Sequence, residues 1–250
     1  MSNQGLIPRI GQNLGAVLGT LLLPAPDCLL CGARESDALL CAACRADLPA
    51  LPGDGCPRCA LPMPPDGPCG ACLKQPPRFD ATAAAYRYGF PVDRLIQALK
   101  YGHRLAVADF FAAALLAGPR PSGDLLLPVP LAPDRLRQRG FNQALEIARP
   151  IARQLGLELA PEICRRRGAT TSQAHLPWRA RRKNVHHAFE CLTDLAGARV
   201  LVVDDVMTTG ATLDEFAATL KRHGAVSVGN WVVARTLKDS PPFTPLPGGS

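Results

Sequence analysis

The sequence predicts an α/β protein: a mostly parallel sheet flanked by helices, preceded by a small module built on metal-binding cysteines. Three observations carry that expectation. Eight of the ten cysteines fall within residues 28–72. The segment Val200 to Val203 is apolar at every position, as strands covered on both faces of a parallel sheet are. From residue 81 to residue 235, strand-like and helix-like stretches alternate. A chain of 250 residues, 47% hydrophobic and 20% charged, has room for one large domain or two unequal ones, and its composition excludes a collagen-like or wholly disordered protein.

The expected organisation is a helical lead over 1–27, a double zinc ribbon over 28–75, the α/β domain over 79–238, and a disordered tail over 239–250. Glycine and proline mark these divisions: residues 49–77 hold 13 of them and the last twelve residues hold 6. The lead contains the apolar stretch Leu14 to Leu23, broken by Gly15, Gly19 and Thr20. It is too short for a membrane span and lacks the charged start and cleavage site of a signal peptide. A short amphipathic helix docked on the body, in a cytoplasmic protein, is the expectation.

The cysteines read Cys28-x2-Cys31-x9-Cys41-x2-Cys44 and Cys56-x2-Cys59-x9-Cys69-x2-Cys72, two quartets with identical internal spacing. A Cys-x-x-Cys turn presents two thiolates together, and two such turns close a tetrahedron that suits structural zinc. Two zinc ions follow, and sequential or interleaved pairing both satisfy the spacing. A disulfide framework would need an oxidising compartment, and a redox site would need only one such turn. Four thiolates leave no open coordination position, so these metals fold the module and do no chemistry. Cys164 and Cys191 have no spacing partner and are expected to be buried.

Within the α/β region, Ala81 to Tyr88 reads as a strand. Pro91 to Tyr101 reads as a helix with Val92, Leu95, Ile96 and Leu99 inward, and Asp109 to Ala117 as another. Leu125 to Leu127 is a short buried strand. Phe141 to Leu155 is a helix with Leu145, Ala148, Ile151, Ala152 and Leu155 inward. Val200 to Val203, a helix from Thr212 to His223 and a strand from Val226 to Arg235 complete the pattern. Ligands of such sheets sit at the carboxyl ends of the strands, which directs attention to the loops after Leu127 and Val203.

The net charge of +7 is concentrated: between Asp134 and Lys183 lie twelve Lys or Arg residues and four acids. This favours an anionic partner, small or polymeric. After Val203 come Asp204, Asp205, Val206, Met207, Thr208, Thr209, Gly210, Ala211 and Thr212. A strand that ends in two carboxylates and a small, hydroxyl-rich turn into a helix makes a phosphate pocket, because the first helical N–H groups are free. The acids would repel a phosphate unless they take ribose hydroxyls or a magnesium ion on the same ligand.

Residues 200–212 resemble, at every position, the phosphoribosyl pyrophosphate (PRPP) signature of type I phosphoribosyltransferases. By that resemblance, Asp204 and Asp205 hold the ribose 2′- and 3′-hydroxyls. The turn entered at Met207 and running through Thr208, Thr209, Gly210, Ala211 and Thr212 holds the 5′-phosphate. Leu127 to Pro130 falls where that family keeps its pyrophosphate loop. Residues 165–184 resemble the mobile loop of glutamine-dependent amidophosphoribosyltransferases, with Thr171, Gln173, Arg179 and Asn184 as landmarks. The family's chemistry is attack by a nucleophile on the anomeric carbon with loss of pyrophosphate and inversion. The candidates to neutralise that leaving group, with magnesium, are Arg135, Arg139, Arg179 and Lys183, with Lys100 a weaker one. His186 and His187 have no ligand-like partner nearby.

Two zinc ribbons ahead of such a domain, together with Lys100-Tyr101 and the run Arg139 to Gln143, resemble the ComF family. That resemblance, over residues 28–236, implies an association with DNA uptake and natural transformation. It is compatible with transfer of phosphoribosyl to an unassigned acceptor. It is equally compatible with a non-catalytic PRPP or nucleotide sensor that binds single-stranded DNA or a competence protein. The ribbons lack the aromatic residues on which single-strand binders stack bases, with Phe79 alone near them.

Overall fold

The computed structural model describes residues 27–34, 38–51, 53–64, 67–167 and 188–237. The expected N-terminal helix, most of the loop over 165–184 and the tail lie outside them. No helix among the described residues is long and apolar enough to cross a membrane.

Five parallel strands form the sheet: β1 (Ala81–Arg87), β2 (Leu125–Pro128), β3 (Glu158–Leu159), β6 (Arg199–Met207) and β7 (Ser227–Arg235), in the order β1-β7-β6-β2-β3. The two remaining strands, β4 (Cys164–Arg166) and β5 (Phe189–Cys191), pair antiparallel as a separate ribbon. Alternation along the strands divides the core in two. Leu126, Leu201, Val203, Trp231 and Val233 face the side of α3 (Val92–Gly102), α4 (Ala106–Ala117) and α6 (Gln143–Leu155). Leu127, Val200, Val202, Val228 and Val232 face α7 (Ala211–Arg222) and the β4–β5 ribbon. With side chains pointing alternately to the two faces, a strand buried on both has no solvent-facing positions, which is why Val200 to Val203 reads as a continuous apolar run.

The cysteine module contributes two one-turn helices, α1 (Ala42–Ala46) and α2 (Gly70–Lys74). It straddles the β1 edge of the sheet. The first ribbon's Cys28, Leu40, Cys41 and Leu48 belong to the core on the α3–α4 side, whereas Cys56, Cys59 and Cys72 of the second belong to the core on the α7 side. Between them the chain runs antiparallel to β1: Ala50 bridges Tyr86, Leu51 N–H donates to Ala85 O, and Arg87 N–H donates to Pro49 O. An open sheet edge exposes unpaired N–H and C=O groups, and here the linker between the ribbons occupies it.

Two readings of the sequence are corrected. In α6 the inward stripe is Ala144, Ile147, Ala148, Ile151 and Ala152, while Leu145 and Leu155 lie half-buried at its margin. Residues 133–139 form a helix, α5 (Pro133–Arg139), with no counterpart among the expected elements. Its one large apolar residue, Leu136, is 43% exposed, so it carries no hydrophobic periodicity to read.

Phe216 of α7 is fully buried and meets the Phe189 ring at 4.8 Å, joining the helix to β5. Replacing it with alanine should cost about 3–5 kcal/mol in denaturant unfolding of the zinc-loaded chain. A loss under 1 kcal/mol would show that this face is not packed as described.

Candidate functional site

A cavity of about 130 Å³ opens at the carboxyl ends of β2 and β6. It is lined by Lys100 of α3, Val129 to Leu131 after β2, Arg135 and Arg139 of α5, Asn142 to Ala144 at the start of α6, Arg166 of β4, Asp204 and Asp205 of β6, and Thr212 of α7. Four of these elements, α3, α5, β4 and β6, thus bring four cations and two acids together around the strand end where an α/β sheet presents its ligands.

β6 extends past Val203 to Met207 because β7 pairs with it as far as Met207 opposite Arg235. Asp204 and Asp205 are therefore held in regular strand geometry, not in a loose turn. The Asp205 N–H donates to Asp204 Oδ1 at 2.9 Å, and Lys100 Nζ lies 2.6 Å from Asp205 Oδ2 with both side chains largely buried. Burial pushes the Asp204 carboxyl up to about 7, and the adjacent Asp205 charge adds to it. The Asp205 N–H, Lys100 and Arg166 pull the other way without overcoming it.

The turn after β6 is shaped for close approach. Gly210, the N-cap of α7, has φ +83, and a Cβ there would meet the Met207 Cε at 2.7 Å. Having no side chain, Gly210 cannot cap the helix itself; Ala211 N–H reaches Thr209 Oγ1 at 3.3 Å. Thr208 and Thr209 are exposed and Thr212 lines the cavity, whereas the Met207 side chain is buried beneath the turn. Met207 thus supports the turn from below and does not present its side chain to the cavity.

Opposite the acids, Asn142 caps α6 by accepting from Ala144 N–H at 3.0 Å and fixes the segment after β2 by donating to Val129 O at 3.0 Å. Arg139 is buried: its Nη1 donates to Gln143 Oε1 at 3.0 Å, and the guanidinium lies 5.3 Å from the Tyr101 ring centroid. Arg139 Nε and Gln143 Nε2 remain buried without a protein acceptor. Buried donors are ordinarily satisfied, so two of them in residues lining one cavity favour an acceptor-rich ligand there. Arg135 is exposed at the rim. Arg179, Lys183, His186 and His187 lie outside the described residues.

Arg166 is a cavity residue with no individual mark in the run Arg165 to Arg167. Strand alternation separates them: Arg165 and Arg167 pair with Glu190 at 3.0 and 3.7 Å, whereas Arg166 lines the cavity and lies 5.3 Å from the Phe189 ring centroid. Three consecutive arginines carry no alternation in the sequence, so the side each one takes appears only once β4 is paired with β5. Lys100 lines the cavity too, and its contact there is Asp205, far away in the sequence.

The cysteines gather as two sequential quartets, Cys28, Cys31, Cys41, Cys44 and Cys56, Cys59, Cys69, Cys72. Within each, all sulfurs lie within 4.8 Å of one another. This settles the pairing against interleaving. Burial alone would raise the thiols of Cys28 and Cys56, but backbone N–H groups, including those of Cys41 and Cys69 at 3.3 Å, bring both down to about 6. Neighbouring sulfurs push Cys44 up to about 12, since four thiolates cannot ionise together without a cation. The donor set of each quartet fits tetrahedral zinc. Cys164 and Cys191 are buried as expected and also sit directly opposite each other across β4 and β5.

A double zinc ribbon domain matches residues 18–73 and a phosphoribosyl transferase domain matches residues 142–242. The DNA utilization protein YhgH of Salmonella typhi is 36% identical over 191 residues, covering 73% of this chain and 84% of its own length. Competence protein F of Haemophilus influenzae is 32% identical over 178 residues, covering 67% and 78%. The chain belongs to the ComF family. Competence protein ComFC of Bacillus subtilis, another ComF relative, is 24% identical over 238 residues, covering 84% of this chain and 95% of its own. A hypoxanthine phosphoribosyl transferase of Trypanosoma cruzi overlays at a TM-score of 0.32 with 16% identity, over 61% of this chain and 69% of that one. The ComF assignment accounts for both halves of the molecule, with two four-cysteine zinc sites at one end and a phosphoribosyltransferase-type domain at the other.

Two measurements check this geometry. Metal analysis of the zinc-replete chain should give two zinc ions, falling to one after Cys31→Ser or after Cys69→Ser; one ion in the unmodified chain would contradict two independent quartets. For Asp204, the folded state binds its proton at pH values where the unfolded chain, near 3.8, has released it. The stability this proton confers is present below about pH 4 and is lost as pH rises through about 7. The melting temperature of Asp204→Asn relative to the unmodified chain should therefore be more favourable at pH 8 than at pH 5. An equal difference at both pH values would contradict a raised pKa.

Proposed function

We propose that this ComF-family protein binds PRPP, with the ribose hydroxyls on Asp204 and Asp205, the 5′-phosphate on the turn from Thr208 to Thr212, and the pyrophosphate toward Arg135, Arg139 and Arg166. The observation that supports it most strongly is the acidic pair placed inside an otherwise cationic cavity. A pocket for phosphate alone would have no use for two carboxylates, whereas a ribosyl phosphate offers hydroxyl donors to the acids and anionic oxygens to the arginines. Arg179 and Lys183, in the segment after β4, are proposed as further cations at the leaving-group end.

Magnesium fits as an ion carried with the ligand. Among the described residues the cavity holds no group of three metal-ligating side chains, and Asp205 is already engaged by Lys100. An ion held by one or two carboxylates and completed by phosphate oxygens suits this donor set. When bound it would offset charge on the pyrophosphate; the chain's own part is to orient the ribose and hold the leaving group. Transfer of phosphoribosyl to an acceptor is the reaction such a site supports.

The relatives' printed names speak of DNA utilization and competence. We place this protein, accordingly, in the handling of incoming DNA, in a cytoplasmic setting, with single-stranded DNA or a competence protein as macromolecular partner. The exposed cations of α5 and the arginine-rich stretch after β4 would supply the contacts, and such binding weakens steeply with salt.

Calorimetry with PRPP tests the pocket. Binding should require magnesium and fall at least tenfold when Asp204 and Asp205 are both replaced by asparagine in folded, zinc-loaded protein. Equal binding by both proteins, or none by the unmodified chain, would overturn the reading.

A further inference from the structure

The second ribbon and the turn proposed to hold phosphate are joined by a hydrogen-bonded cluster. At its centre is Arg235, the last residue of β7 and only 5% exposed. Its Nε donates to Cys59 O at 2.8 Å, inside the second cysteine quartet. Its Nη1 donates to Met207 O at 3.1 Å, to Thr208 O, and to Thr236 O at 2.7 Å. One guanidinium therefore bonds a carbonyl of a zinc-ligand residue and two carbonyls at the start of the turn. The planar donor fork fixes those carbonyls relative to one another, which a lysine cannot do.

A second tie holds the far side of the turn. Just past the ribbon, the Arg78 N–H and Nη1 reach the Asp214 carboxylate at 2.6 and 2.9 Å, and Asp214 lies in the first turn of α7. A third contact passes beneath: a Cβ at Gly210 would lie 3.8 Å from the Phe79 ring, and Phe79 shares a core with Cys56, Cys59, Cys72 and Met207. The first ribbon is placed differently, in the core of the opposite sheet face, with Arg45 over the Phe110 ring of α4.

From these contacts we infer that Arg235 is a positioning residue that couples the second zinc ribbon to the Thr208–Thr212 turn, so that metal at Cys56, Cys59, Cys69 and Cys72 and a phosphate ligand on the turn strengthen each other's binding. The inference deepens the proposed PRPP reading and rests on it for the identity of the ligand; the mechanical tie does not need that identity. Zinc sets the conformation of the Cys56–Cys59 turn and with it the Cys59 carbonyl, and Arg235 passes that constraint to the Met207 and Thr208 carbonyls. Reciprocity is required, because a coupling free energy between two sites acts equally on both.

Release of zinc to a chromogenic chelator, followed with and without magnesium–PRPP, tests this. In the unmodified protein, PRPP should raise the chelator concentration needed to remove one of the two zinc ions at equilibrium by roughly five- to a hundredfold, and leave the other unchanged. Arg235→Lys should lose that protection while still holding two zinc ions, and Arg78→Ala, at an exposed side chain, should reduce it. Equal protection in the unmodified protein and both variants, or no protection where calorimetry shows PRPP bound, would overturn the coupling. If PRPP does not bind, amide exchange over 204–214 decides without ligand. Faster exchange in Cys69→Ser than in Cys31→Ser upholds the tie while the PRPP reading falls; identical exchange overturns the tie as well.

Discussion

Two adjacent carboxylates at the end of a strand buried on both faces constrain much of what surrounds them. Burial beside the Asp205 charge disfavours ionisation of Asp204, and Lys100, reaching in from the end of α3, contacts Asp205 directly. Removing one partner of such a largely buried pair costs on the order of 3–5 kcal/mol, because a charge is left without compensation. Arg166 approaches from β4, and Asp204 responds to what is left uncompensated by holding its proton to about pH 7. The proposed ligand, with hydroxyls for the acids and phosphates for the cations, is matched to this arrangement.

The same economy explains the N-terminal module. A segment rich in proline and glycine cannot build a core, so its free energy of folding comes from metal and from the sheet it leans on. Placing one ribbon on each face, with the linker paired to β1, covers an edge strand and completes both halves of the core. The second ribbon gains a further consequence from its position, since Arg235 and Arg78 connect it to the two sides of the turn after β6.

The parts legible in the sequence are those set by local pattern. Cysteine spacing gave both quartets, the apolar run from Val200 gave the central strand, and the residues from Asp204 to Thr212 gave the acid pair and the turn. Spacing could not choose sequential over interleaved quartets, because either satisfies the turns; only the sulfur positions do. Elements without hydrophobic period, such as α5, escaped. So did contacts between residues distant in the chain: Lys100 with Asp205, Arg166 at the cavity, Arg235 with Cys59. A buried arginine closing a strand at residue 235 carries no sequence signal until the carbonyls it meets are in place.

The decisive observation is where a ribosyl phosphate sits. A crystal structure of the zinc-loaded protein with magnesium–PRPP should show the ribose hydroxyls on Asp204 and Asp205 and the 5′-phosphate on the amides and hydroxyls of Thr208 to Thr212. PRPP bound elsewhere, or this turn holding no phosphate while the ligand is ordered, would contradict this placement.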